Sequence, residues 1–394
     1  MSERRATGSA GFLDPRQLFR RRPPGGQPHR RLVQDYADDL RLFPSWWARG
    51  GLLVLVALYV LIPSQELLDD AWLRTFVNVG IFAIGAIGLN LLTGYTGQVS
   101  LGHAFFVGVG SYAAAYLGAE QGWPFLVYLP AAALIGFLLG ALIGPFALRL
   151  RGNYLVIVTL GLLFVGRHVF LNWDSVTGGN RGVRLRDATV SIGPLDFTDL
   201  EIAGRSYSRE AAFFWLTWAL VAVAAIVAKN LVRGRMGRAM QATRDRDLSA
   251  EVIGVDLART KVAAFAWSSA YACVSGVLSA LLVRQAGADD FGLFLSITFV
   301  AIVIIGGAGT IFGSILGALF VVGGRDFIGR RSDTALLDPI ITTSPGDPGW
   351  LSVGELNAVL FGLFIILFLM LEPRGLAALW LRVKAWFRSW PFSY

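Results

Sequence analysis

The sequence predicts an all-α polytopic membrane protein of about ten transmembrane helices, with both termini cytoplasmic. Three observations carry that reading. Of 394 residues, 55% are apolar and only 16% are charged, with a mean hydropathy of +0.57. Apolar runs near the ~20 residues that a spanning helix needs recur along the chain. Lys and Arg outside these runs are unevenly shared, 24 on one set of alternate segments and ten on the other, and the richer set is the cytoplasmic one. The net charge of +8 then follows from insertion, and no nucleic-acid partner is called for.

Residues 1–46 form a basic arm containing the run Arg20, Arg21, Arg22, Pro23, Pro24, Gly25 and Gly26, a composition that reads as largely disordered. About fifty mostly polar residues before the first apolar run is the wrong layout for a cleaved signal peptide, so the first span is expected to direct insertion. The transmembrane domain is placed at 47–385, with spans near 47–62, 72–92, 99–118, 124–148, 153–171, 211–228, 261–283, 291–307, 309–323 and 355–371. Residues 386–394 are the cytoplasmic tail. Five spans per half, an odd number, allow the halves to be inverted repeats.

Each half carries a Gly-rich break between apolar runs. The first is Thr93, Gly94, Tyr95, Thr96, Gly97, Gln98, Val99, Ser100, Leu101, Gly102 and His103; the second is Gly306, Gly307, Ala308, Gly309 and Thr310. Unsatisfied backbone at membrane depth is costly, so such breaks are expected where protein covers them or a cavity runs past them. Paired breaks point to a midplane solute site. The candidate substrate pathway is therefore Thr93, Gly94, Tyr95, Thr96, Gly97, Gln98, Ser100, Gly102 and His103, with Gly306, Gly307, Gly309 and Thr310. His103 either meets solute or ties down a neighbouring carbonyl. Gly136, on a continuous apolar run, is expected to tolerate enlargement better unless it lies at a tight helix crossing. The single cysteine, Cys273, reads as a small packing residue.

Three loops are long enough to do more than connect. The external loop 172–210 contains the turn-rich Thr177, Gly178, Gly179, Asn180, Arg181 and Gly182, of which Thr177, Gly178, Gly179 and Gly182 are candidates for capping the pathway or meeting an external partner. Loop 324–354 reads as irregular. The cytoplasmic stretch Met236 to Gly254 spaces Met240, Leu248 and Val252 helically among Arg238, Arg244, Asp245, Arg246, Asp247 and Glu251. It reads as one short amphipathic helix bounded by Gly237 and Gly254, docking on another protein or lying on the membrane surface; its mixed charge favours the partner.

Chemistry that is missing narrows the energy source. No G-x-x-x-x-G-K-[ST] loop occurs, and Gly306 to Gly313 has no Lys to reach a phosphate, so ATP has no site of that kind in this chain. The spans hold few ionisable groups, chiefly Arg167, His168 and His103, and no chain of carboxylates, which disfavours proton coupling. Arg167 and His168 are expected to reach toward headgroups. Sodium coupling through backbone carbonyls stays open. The histidines, His29, His103 and His168, have no metal-ligand spacing, so neither a metal, a cofactor nor catalysis is expected here. A sodium-coupled carrier and a scaffold without flux are the competing readings.

Asn90 to Tyr112, Thr177 to Gly182, Gly237 to Asp256, Ile305 to Gly313 and Glu372 to Leu376, in that order, resemble the permease subunits of branched-chain amino acid ABC transporters, in the subfamily of the longer permease. The resemblance covers about residues 50 to 385. It implies a multi-pass protein of the bacterial inner membrane, paired with a second homologous permease, two ATP-binding subunits that hold ATP and Mg, and a periplasmic substrate-binding protein. It also implies that residues 237–256 are the coupling segment, with Gly237, Arg238, Arg244, Asp245, Asp247, Ala250, Glu251 and Gly254 at the ATPase. Gln241, Thr243 and Ser249 depart from the family's usual residues there. Solutes in this broad group include branched-chain amino acids, urea or short amides, and other small organic molecules.

Overall fold

The structure, a computed structural model, describes residues 57–148, 154–331 and 375–389 apart from a few positions within them, with short pieces between 341 and 372. The expectations for the arm 1–46, most of spans 47–62 and 355–371, most of loop 324–354 beyond Arg331 and the end of the tail lie outside the described residues, while Gly324–Arg331, expected to be irregular, is helical. The long helices are α1 (Asp70–Thr96), α2 (His103–Ala113, running into a π turn at Ala114–Glu120), α3 (Phe125–Leu148), α4 (Tyr154–Asn172) and α5 (Arg209–Arg233). Two short helices follow, α6 (Arg235–Asp245) and α7 (Asp247–Val252), then α8 (Leu257–Val283). After these come α9 (Leu293–Gly306), α10 (Ile311–Ala318, running into a π turn at Leu319–Gly323), α11 (Gly324–Arg331) and α12 (Gly375–Ser389).

Helices α1 and α8 form the centre. Their apolar windows are 83% and 78% buried, against 22% for α3 and 28% for α4. The sequence reason is small residues: a Cβ on Gly88 would overlap Tyr271, one on Gly276 would overlap the Val107 carbonyl, and one on Gly110 would overlap that of Cys273. Backbones can therefore approach closely without a hydrophobic drive between helices. Polar side chains in this core turn to carbonyls of neighbouring helices: Ser275 Oγ donates to Ile81 O at 2.9 Å, Ser111 Oγ to Gly276 O at 2.8 Å, and Cys273 Sγ to Phe106 O at 3.1 Å. The outer helices instead expose apolar rows, Leu134, Leu138 and Leu142 on α3 and Ile157, Phe164 and Val165 on α4, which suits hydrocarbon rather than water.

The expected count of ten spans is not what the described residues contain. Five helices there are long and apolar enough to cross a membrane, α1, α3, α4, α5 and α8. The runs expected as separate spans at 291–307 and 309–323 are α9 and α10 with its continuation, bent by 118° across a short break, the geometry of a broken span or of a re-entrant loop. Length explains this: the 14 residues of α9 rise about 21 Å, short of the ~30 Å hydrocarbon core. The expected 99–118 span likewise begins late, at His103, and changes to a π turn at Ala114.

Gly136 does sit at a tight crossing. A Cβ there would overlap Cys273 Sγ and come within 2.7 Å of Ser269 O, because α3 packs along α8. Gly136→Val should therefore cost stability, about 1–3 kcal/mol as overpacking does, and lower the melting temperature in detergent. An unchanged melting curve would mean that the crossing relaxes freely.

Candidate functional site

Both breaks are held at one end of the bundle. Helix α1 keeps its full 27 residues, about 40 Å at 1.5 Å per residue, and ends in a left-handed cap at Gly97, φ +75°. Gln98 N donates to Leu92 O at 3.1 Å and Gly97 N to Thr93 O at 3.2 Å, the paired bonds by which glycine closes a helix. Thr93 Oγ1 donates to Gln98 O at 3.1 Å and Thr96 Oγ1 to Leu91 O at 3.0 Å. The first break thus lies at the end of a full-length helix against α6, and the expected midplane position is corrected. Apolar periodicity fades at Thr93, but backbone helicity does not.

Asn90 joins the second break to the first. Its Nδ2 donates to Thr310 O at 2.8 Å and to Ser314 Oγ at 2.9 Å, while its Oδ1 accepts from Gly309 N at 2.8 Å. The bond to Gly309 N satisfies a backbone donor in the α9–α10 bend, as a buried break requires, and Thr310 O also accepts from Ser314 N at 3.3 Å. A Cβ on Gly94 would overlap both Asn90 Oδ1 and Gly309 N, and one on Gly306 would overlap Gly313 O. From α6, Arg244 Nη1 donates to Gly94 O at 3.0 Å. Gly375, which starts α12, lies so close to Gly307 that a side chain there would meet its backbone at 2.5–2.6 Å.

The structure divides the candidate pathway residues. Gly94, Thr93, Tyr95, Thr96 and Gly97 gather with Gly307, Gly309 and Thr310 beside Arg244. Ser100, Gly102 and His103 lie apart, against α4 and α9. There Leu101 N donates to Thr159 Oγ1 at 3.0 Å, Gly102 N to Ser100 Oγ at 3.3 Å, and Ala104 N to Ser296 Oγ at 3.0 Å. A Cβ on Gly102 would stand 2.8 Å from Thr159 O. His103 is buried edge-on to Phe299, ring centroids 4.8 Å apart, and among the described residues its Nε2 has no hydrogen-bond partner. Gln98 is half-buried between the two groups. Asn90, Thr159, Ser296 and Ser314 are the residues that sequence reasoning missed; each is a polar side chain inside an apolar run, the one signal that could have found them.

The coupling segment is two helices, not the single one expected. Arg246, extended at φ −160° and ψ 112°, separates α6 from α7. Gly237 does not bound the segment: it is buried inside α6, where a Cβ would overlap the Val232 carbonyl. Gly254 does follow the last turn, with open space around it. Met240, Thr243 and Ala250 face inward, while Leu248, Val252 and Ile253 are 74%, 87% and 74% exposed. Asp245 and Glu251 are exposed beside them. Asp247 is paired within the chain, its Oδ2 2.7 Å from Lys261 Nζ, and Arg238 Nη1 donates to Arg233 O at 3.1 Å.

In the 172–210 loop, Thr177 is buried and its Oγ1 donates to Phe170 O at 2.6 Å and Trp173 O at 2.8 Å. A Cβ on Gly179 would overlap Asp174, and a Cβ on Gly178 would stand 2.6 Å from Gly182 O. Gly182 leads into strand β1 (Val183–Arg184), antiparallel to β2 (Gln285–Ala286) just beyond α8. The turn is thereby fastened to that end of the bundle. Arg167 does not merely reach outward: it pairs with Asp289 at 2.6 Å, while His168 meets Asn172 one turn on.

The family model described as branched-chain amino acid transport system / permease component matches residues 72–369. The chain is 32% identical over 300 residues, 73% of its length and 69% of the relative's, to the high-affinity branched-chain amino acid transport system permease protein LivM of Escherichia coli. It is 31% identical over the same shares to LivM of Salmonella typhimurium. The autoinducer 2 import system permease protein LsrC of Shigella flexneri is 29% identical over 281 residues, 69% of this chain and 76% of the relative. No solved structure matches the chain.

Proposed function

We propose, from the premise that this chain belongs to the branched-chain amino acid transport system permease family, that it is the membrane subunit of an ABC importer for branched-chain amino acids or related small polar solutes. It makes and breaks no covalent bond. Two separate ATPase subunits, holding ATP and Mg, supply the energy; a second homologous permease completes the pathway; and a periplasmic binding protein delivers solute across the outer face of the inner membrane. The likeness to LivM over 300 residues supports the solute class.

The observation that carries the reading beyond likeness is the exposed apolar ridge of Leu248, Val252 and Ile253, presented by a segment bonded to the helix breaks through Arg244. A ridge of this kind on a short helix is a surface for a partner's groove. Closure of the ATPases would move α6 and α7 and rock the bundle between outward-open and inward-open states. The joined breaks, with Thr93 to Gly97 and Gly306 to Thr310, then line the end of the pathway on the ATPase side, and Ser100, Gly102 and His103 its wall nearer α4.

The test is purification followed by reconstitution. Affinity capture of this chain should bring down two ATPases and a second permease, and labelled leucine should enter proteoliposomes only with ATP on the α6–α7 side and binding protein on the other. Uptake by the chain alone on a sodium gradient would overturn the proposal. The same reading places both termini inside. Cysteines at Ser191 and Asp338 should react with an impermeant thiol reagent from outside and one at Asp245 should not, against a low background because the native Cys273 is buried. Labelling at Asp245 from outside would invert the orientation.

A further inference from the structure

We infer that Arg244 is an internal tether, threaded through a slot of three glycines, that carries movement of α6 into both helix breaks at once. The inference rests on the importer reading above and gives Arg244 an inward role separate from contact with an ATPase.

The slot is built from two distant stretches of chain. A Cβ on Gly97 would stand 3.1 Å from Arg244 Cγ, and a Cβ on Gly309 would stand 2.9 Å from Arg244 Nη1. The third glycine, Gly94, gives its carbonyl to that same Nη1 at 3.0 Å. So the aliphatic stem lies against Gly97 and the guanidinium between Gly94 and Gly309. A side chain at Gly97 or Gly309 would narrow the slot, and one at Gly94 would push on Asn90 and Gly309 instead, so each glycine has a local reason that needs no solute.

The bond to Gly94 has a cause in the helix end. Because Gln98 N turns back to Leu92 O, the Gly94 carbonyl is left for an outside donor, one of the last-turn carbonyls that a helix cannot satisfy itself. A cation there also meets the negative end of the helix dipole. Arginine suits the place better than lysine because its planar fork can serve two acceptors in fixed directions. The second acceptor is Asp245, whose Oδ1 lies 3.3 Å from Nη2 and 3.4 Å from Nε on the open side.

Movement at α6 consequently has a fixed route inward. Asp245 and Arg244 lie on α6; Arg244 holds Gly94 and abuts Gly309; and Asn90 bonds Gly309 and Thr310 to α1. The α1 end and the α9–α10 bend would shift together. A residue that only touched an ATPase would need no bond into the bundle, whereas this one, 42% exposed on its Asp245 side, turns Nη1 inward to the Gly94 carbonyl.

The experiment uses the whole complex in proteoliposomes, comparing wild type, Arg244→Gln and Arg244→Lys for ATPase subunits retained, ATP hydrolysed and labelled leucine taken up. Arg244→Gln should retain the ATPases but lower leucine taken up per ATP by about tenfold, within the usual range for coupling between sites. Arg244→Lys, which keeps the charge and loses the fork, should fall between; it also serves if the glutamine variant does not insert. Loss of the ATPase subunits from either variant would make Arg244 a docking contact and overturn the tether. Wild-type leucine per ATP in both variants would overturn it too, with the importer reading intact. A wild-type complex that shows no ATP-driven uptake would remove both.

Discussion

Asn90→Leu should abolish ATP-driven uptake and lower the melting temperature of the purified protein by several degrees. The two side chains are close in volume, so the effect comes from hydrogen bonds and not from a cavity. Leucine leaves Gly309 N without the partner it has now, and takes away the Asn90 Nδ2 donor to Thr310 O and to Ser314 Oγ. A buried donor or acceptor stripped of its partner costs about 1–3 kcal/mol; the Gly309 N–H is stripped outright, while Thr310 O keeps its bond from Ser314 N at 3.3 Å. Asn90→Asp separates the contributions: it keeps an acceptor for Gly309 N and loses the donor to Thr310 O, so it should fall between. The melt is followed by fluorescence in detergent and the uptake in proteoliposomes at matched protein. A leucine variant that melts and transports like wild type would mean that water takes over these bonds and that the breaks are not rigidly joined.

The helices that cross the bundle were legible because composition over ~20 residues is a strong signal: α1, α3, α4, α5 and α8 all fall on runs that the sequence marks. The two breaks were legible as glycine clusters. Their meeting was not, because it depends on one asparagine whose partner carbonyl is 220 residues away, and nothing in local pattern reports such a distance. The depth of the first break was misread for a related reason. Thr93 to Thr96 interrupt the apolar run, yet their hydroxyls satisfy carbonyls nearby, so the helix continues past the point where hydropathy falls. In the α6–α7 segment the apolar spacing fits a single helix, and only the backbone of Arg246 shows the corner that lets α6 pack inward while α7 faces out. Gly136 shows the limit of reading a glycine from its own run: its neighbours come from α8. The order break, short helix, π turn occurs after Thr96 and again after Gly306, a likeness between the halves that their sequences do not display residue for residue.

Leu248→Asp combined with Val252→Asp should strip the ATPase subunits from the complex while leaving this chain inserted. At 74% and 87% exposure, these side chains contribute little to the chain's own packing, so their loss should leave its melting curve nearly unchanged. In a partner's groove, each would bury apolar area worth about 1.5–3 kcal/mol, and a carboxylate in its place must be desolvated as well. A loss of about 3–6 kcal/mol on that basis would be more than a hundredfold in affinity. These positions are better probes than the neighbouring acids. Asp247 is already paired with Lys261 at 2.7 Å, so reversing its charge changes the permease itself, and Asp245 leans on Arg244, so reversing it disturbs the tether. Leu248 and Val252 owe little to the chain's own packing. Subunit stoichiometry after affinity capture, with ATP hydrolysis stimulated by loaded binding protein, gives the answer. Should both ATPases stay bound and respond normally to solute, α7 is not the docking face, and the surface beside Asp256 and Arg259, where α8 begins, becomes the place to look.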